Sequence, residues 1–180
     1  FTMDALPGTP QIQNIIPTTF FGTDTWAAPV LGTLGGVFIL IVGMAYLDAY
    51  QATGDTYYRD AARDVARALV KGQYCSGGWD YYIEFDPSKR AQFPYRADGG
   101  CGKRDTTSPE RPTTLDDNVT QAAVRVLMRV ERELGFKDAA IHEAARFALD
   151  SLVKAQYPNG AWPQRYSQFP AASDFPVTRA

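Results

Sequence analysis

The sequence predicts an all-α fold, a partial (α/α) toroid of helical hairpins with a single N-terminal transmembrane helix in front. Three observations carry this expectation. Leu69-Val70-Lys71-Gly72-Gln73-Tyr74-Cys75-Ser76-Gly77-Gly78-Trp79 returns as Leu152-Val153-Lys154-Ala155-Gln156-Tyr157-Pro158-Asn159-Gly160-Ala161-Trp162, an offset of 152 − 69 = 83. The same offset pairs Ala61-Ala62-Arg63 with Ala144-Ala145-Arg146, and an internal repeat of this kind sets the architecture. Apolar residues recur at helical spacing before each copy of the loop. Finally, Trp26 to Leu47 contains no charged residue.

Length and charge bound the function classes. A chain of 180 residues can bury an ordinary single core. Lys plus Arg is 18 against Asp plus Glu at 20, which gives no sign of a nucleic-acid partner. His142 is the single histidine, so Ser-His pairs and multi-His zinc sites are nearly excluded. Cys75 and Cys101 are the two cysteines. They form one disulfide if the domain lies outside the cytoplasm, or remain two thiols if it does not.

Taken in order, residues 1–25 carry Pro7, Pro10 and Pro17 with no Lys or Arg, and read as an extended arm. Residues 26–47 would span roughly 30 Å as a helix, about the hydrocarbon thickness of a bilayer. Trp26 and Tyr46 stand near its ends, and Gly32 and Gly36 give a small-xxx-small spacing. The alternative is a wholly buried helix. Arg59, Arg63 and Arg67 follow the run closely, which by the positive-inside rule favours the cytoplasmic side for the domain.

Gly54 ends a turn, and Asp55 or Thr56 caps the next helix. Tyr58, Ala61, Ala62, Val65, Ala66, Leu69 and Val70 form its apolar stripe. Residues 75–112 make a long aromatic and charged connection, within which Trp79–Phe85 reads as a short strand or hairpin arm. Asn118–Leu134 and Lys137–Ala155 are two further amphipathic helices, separated by Gly135. Ser167–Ala180 has no period, and the division of the chain is 1–25, 26–47, 48–169 and 170–180.

Two segments carry a family resemblance. Thr113-Thr114-Leu115-Asp116-Asp117-Asn118-Val119-Thr120-Gln121, with the Tyr157-Pro158-Asn159-Gly160-Ala161-Trp162-Pro163-Gln164 string, resembles the polysaccharide lyase family 10 pectate lyases. Gly78-Trp79-Asp80-Tyr81-Tyr82-Ile83-Glu84-Phe85-Asp86-Pro87 is similar to bacterial relatives of that family. The resemblance covers about Asp48 to Phe169. It implies an (α/α) toroid, calcium assistance and an arginine base for β-elimination on polygalacturonate. That base would come from sequence beyond this chain. The resemblance also favours the periplasmic or extracellular side for a membrane-anchored domain.

The candidate site residues each have a plain structural reading beside the functional one. Asp116 and Asp117 either cap the following helix, with Asn118 and Gln121 at capping-box spacing, or bind calcium or substrate. Arg90 and Arg96 can grip a uronate carboxylate bidentately or join ion pairs with the acids of their own loop. Trp79 and Trp162 either stack on sugar rings or plug the ends of helical hairpins. Two functions follow: a calcium-assisted lyase acting on an anionic polysaccharide, or a catalytically silent accessory subunit. The accessory subunit would meet other membrane-protein subunits through Trp26–Leu47.

Overall fold

The computed structural model of the chain describes residues 42–101 and 113–174. Four helices form its frame: α1 over residues 42–53, α2 over Thr56–Gly72, α3 over Val119–Glu133 and α4 over Ala139–Lys154. The periodic stripes place Ala62, Ala66 and Leu69 of α2 inside. Ala123, Val126, Leu127 and Val130 of α3, with Ile141, Ala144, Ala145 and Ala148 of α4, complete one shared core. Many of these residues are alanine, so the three helices approach closely.

The caps repeat along with the stripes. Asp55 accepts from the Tyr57 amide at 2.9 Å at the start of α2. Asp138 accepts from the Ile141 amide at 3.3 Å at the start of α4. The offset is again 138 − 55 = 83, and each acid satisfies amides that the first helical turn leaves unpaired.

The structure corrects the expected fold class at its N-terminal end. Among the described residues no helix is long and apolar enough to cross a membrane. Residues 1–41, and with them 26–41 of the apolar run, lie outside the described residues. The described remainder, 42–47, is the beginning of α1 and packs into the shared core. Leu47 is fully buried there, with Met44 and Tyr46 against the same cluster. A Cβ at Gly43 would stand 3.0 Å from Val126 and 3.2 Å from Val65, so its small size lets α1 approach α2 and α3. Arg129 then pairs with Asp48 at 2.8 Å, and Gln51 donates to Glu133 at 2.9 Å, fixing α1 along α3.

The toroid is corrected as well. The described helices gather around a single core, and the fold is mostly helical with a short β-ribbon added. Its strands, β1 at Thr113–Thr114 and β2 at Arg165–Tyr166, pair antiparallel with Thr113 opposite Tyr166 and Thr114 opposite Arg165. Trp79–Phe85, expected as a strand, forms none. Its backbone is held instead by scattered bonds, with Thr114 donating to the Trp79 carbonyl at 2.9 Å and Tyr95 Oη accepting from Glu84 at 2.8 Å.

The long connection is ordered by aromatic stacking and a covalent bond. Tyr74 stacks on Tyr95 with centroids 5.2 Å apart, and Phe93 stacks on Tyr95 at 5.4 Å. Cys75 and Cys101 form a disulfide across a sequence separation of 26. A single helical turn at Pro87–Arg90 completes the loop.

The two Gly-Trp loops repeat a shared set of internal hydrogen bonds. The Trp79 indole donates to the Leu69 carbonyl at 2.8 Å, and the Trp162 indole to the Leu152 carbonyl at 2.8 Å. The Gln73 amide reaches the Gly77 carbonyl at 3.0 Å, as the Gln156 amide reaches that of Gly160 at 2.8 Å. Tyr74 donates to Gly78 as Tyr157 donates to Ala161. Gly77 and Gly160 both take positive φ, 101° and 88°, which favours glycine in each copy.

Candidate functional site

Pairing of β1 with β2 sets the residue after the second loop beside the acidic turn that opens α3. That turn, Asp116–Asn118, is a short 3-10 segment in which Asp117 has φ 49° and Asn118 φ 61°. Left-handed backbone at two successive non-glycine residues is uncommon, and Asp and Asn are among the side chains that best tolerate it. None of the three caps α3 through its side chain. Asn118 makes no such bond, the Asp116 carboxylate accepts from the Asp117 amide at 3.0 Å, and the Gln121 amide reaches the Leu115 carbonyl at 2.8 Å. The expected capping box is not formed.

The Asp117 carboxylate is directed elsewhere. It accepts from the Tyr81 hydroxyl at 3.1 Å. Tyr81 Oη in turn accepts from Arg165 Nη2 at 3.4 Å, and the guanidinium carbon lies 5.4 Å from the centre of the Tyr81 ring. Thr114 donates to Asp80 at 3.1 Å, holding that carboxylate beside the ribbon. One guanidinium, one phenol and three carboxylates therefore meet at the surface.

The electrostatics follow from this geometry. Burial pushes the Tyr81 phenol above its ordinary value, and Asp117 adds to the rise while Arg165 opposes it. Both the ordinary phenol value and this direction leave Tyr81 a protonated hydrogen-bond donor at neutral pH. The Tyr81 hydrogen bond is the largest cause raising Arg165, and Asp80 and Asp116 contribute through their charge. Arg165 is exposed and keeps part of its five-donor fork open to an anionic ligand.

The predicted site residues are distributed among different tasks. Arg90 pairs with Asp98 at 2.7 Å, donates to the Glu84 and Lys71 carbonyls, and lies over the Tyr95 ring at 4.4 Å. Arg96 donates to Gln73 Oε1 at 3.2 Å, pairs with Glu143, and lies over Phe147 at 4.3 Å. Both arginines clamp the long loop onto the helices. Trp79 is 1% exposed and is a plug with no ring face open to a sugar. Trp162 is 50% exposed. Lys103, Arg104 and Asp105, other charges of the same loop, lie outside the described residues.

Calcium takes six to eight oxygens in most protein sites. Here two of the available carboxylate oxygens are already engaged by Asp117 N and Tyr81 Oη. Among the described residues no group of three or more His, Cys, Asp or Glu is arranged to hold a metal ion. The donor set does not fit a calcium site by itself.

Asp80, Tyr81, Thr114 and Arg165 were not singled out as site residues from sequence. The signal that could have found them is adjacency. Asp80-Tyr81 directly follows the first loop tryptophan, and Arg165 directly follows the Trp-Pro-Gln string. A two-residue strand has no period to read, so nothing in the sequence joined them.

Comparison with known proteins adds three findings. A family model described as pectic acid lyase matches residues 39–98 and 86–175. A Bacillus subtilis (strain 168) protein described as the uncharacterized transporter YxjC is 61% identical over 61 residues, which is 32% of this chain. The chain spans 13% of the length of that relative. No solved structure matches.

Proposed function

The chain belongs to the pectic acid lyase family, and on that premise we propose that it binds polygalacturonate-type polymers at the Arg165 cluster for β-elimination. The observation that carries this is the ribbon register, Thr114 opposite Arg165, which sets the guanidinium against Tyr81, whose hydroxyl is bonded to Asp117. Arg165 grips and neutralises the uronate carboxylate, which makes the C5 proton easier to remove. Asp116 and Asp117 accept from the sugar hydroxyls, and the Tyr81 phenol, donating to Asp117, holds that carboxylate in place. Elimination then breaks the C5–H bond toward a base, forms the C4–C5 double bond and expels the C4 oxygen. The base is assigned to no residue of this chain.

The narrower likeness to family 10 is supported by the Tyr-Pro-Asn-Gly-Ala-Trp-Pro-Gln string and the Asp-Asp-Asn turn. The Cys75–Cys101 bridge supports an oxidising compartment outside the cytoplasm. Calorimetric titration with trigalacturonate tests the reading. Arg165→Ala should weaken binding by roughly tenfold or more, since a charge-assisted pair is lost. Equal affinity in wild type and Arg165→Ala would refute the assignment. A second reading, a silent accessory role beside a membrane protein, is supported by the likeness to the transporter. It requires that wild type fail to bind trigalacturonate.

A further inference from the structure

The two loop units share caps and internal hydrogen bonds, yet among the described residues only the first is covered. Gln73 is fully buried, and its amide nitrogen donates a second bond, at 2.9 Å, to the Ala144 carbonyl of α4. A Cβ at Gly77 would fall 2.1 Å from Ser151, so the first loop lies directly on α4. Ala144 and Ser151 are seven residues apart, two turns of one helix face. At the equivalent points of the second unit the space is open among the described residues. A Cβ at Gly160 would meet nothing closer than Gln156 of its own loop, at 3.9 Å. Trp162 is 50% exposed where Trp79 is 1%, and Leu149 is 40% exposed where Ala66 is 0%. Val153, the counterpart of Val70, is 72% exposed.

We propose that the face formed by Leu149, Val153, Gln156, Gly160 and Trp162 is a docking surface for one amphipathic helix patterned like α4. The occupant carries small residues seven apart, as α4 carries Ala144 and Ser151. It offers a backbone carbonyl to Gln156 and a close seat to Gly160. The repeat itself points to this occupant: among the described residues the same loop, with the same internal bonds, is completed once by such a helix and once not. A second copy of this chain does not supply the helix, because its α4 face is already occupied by its own first loop. The exposed apolar residues are contiguous with the loop, as a partner surface requires.

The probe is a synthetic, fluorescently labelled peptide of residues 137–156, the α4 sequence with its Asp138 cap, titrated with the intact chain and followed by anisotropy. Saturable binding is expected, with protection of the Gln156–Trp162 amides in hydrogen exchange. Leu149→Asp and, independently, Val153→Asp should abolish it while circular dichroism stays unchanged, because both side chains are exposed. Gln156→Ala should weaken binding roughly fivefold to tenfold through one lost hydrogen bond. A peptide carrying Ser151→Leu should bind no better than a scrambled one. Absence of binding overturns the proposal, and so does binding indifferent to the Leu149→Asp and Val153→Asp variants. It also fails if sedimentation shows a dimer that Leu149→Asp dissociates, since the face then belongs to a second copy. Competition of trigalacturonate with the bound peptide, in Arg165→Ala as in wild type, would overturn it in favour of a sugar surface.

Discussion

Replacing Gln73 by alanine should destabilise the chain far more than replacing Gln156, although the two residues occupy the same place in the same loop. Gln73 makes three bonds, to the Gly77 carbonyl, the Ala144 carbonyl and the Arg96 guanidinium, and is fully buried. Buried neutral bonds contribute about 1 kcal/mol each and a charge-assisted one somewhat more, so the loss is about 3–5 kcal/mol. Arg96 keeps Glu143 and Phe147, which holds the figure toward the lower end. Gln156 makes one bond, to Gly160, in contact with solvent. Water replaces that bond, and Gln156→Ala should cost less than about 1 kcal/mol. Urea unfolding followed by circular dichroism reads the difference directly, with each kcal/mol also worth roughly 2–4 °C of melting temperature at this size. Equal midpoints for the two variants would refute the claim that α4 is what the first loop depends on.

Two further outcomes follow from the same structure. Closing a loop with a sequence separation of 26 constrains the unfolded chain, so Cys75→Ser with Cys101→Ser should cost about 3.5 kcal/mol; a double variant as stable as wild type would remove the disulfide from the list of supports. Burial pushes the Tyr166 phenol up to about 12, and a raised pKa contributes stability that is present below the unfolded value of about 10 and lost as pH rises toward the folded one. Alkaline unfolding above about pH 10 should therefore flatten in Tyr166→Phe by roughly 2–3 kcal/mol. At neutral pH the same variant should cost less than about 1 kcal/mol, because the Thr113 hydroxyl that faces Tyr166 Oη is already bonded to Ser76 and Gly78. An unchanged alkaline slope would show that another group governs it.

What could be read from the sequence was local. Gly54 and Asp55 mark the start of α2, and the Tyr58–Val70 stripe marks its inward face, because capping and periodicity act within a few residues. The 83-residue offset is equally local in origin: each loop closes on its own Gln, Gly and Trp, so matching residues produce matching bonds. The apolar run at 26–47 was legible as apolar but not as to what would cover it. Gly43 and Leu47 find that cover in Val65, Val126 and the shared core, which lie far along the chain.

The candidate site belongs to the other category. Arg165 meets Tyr81, and through it Asp117, because β2 pairs with β1 across 165 − 114 = 51 residues. No propensity or spacing reports such a contact, and a two-residue strand leaves no alternation to detect. Arg90 and Arg96 show the converse. Their residue type suits a carboxylate ligand, but the folded loop gives them Asp98, Glu143 and two aromatic faces first. The sequence by itself therefore determined the helices, their caps and the twin loops, since those depend on neighbours in the chain. Only the tertiary structure decided which loop is buried, which arginine stays open and what the acidic turn faces, since those depend on which distant side chain arrives first.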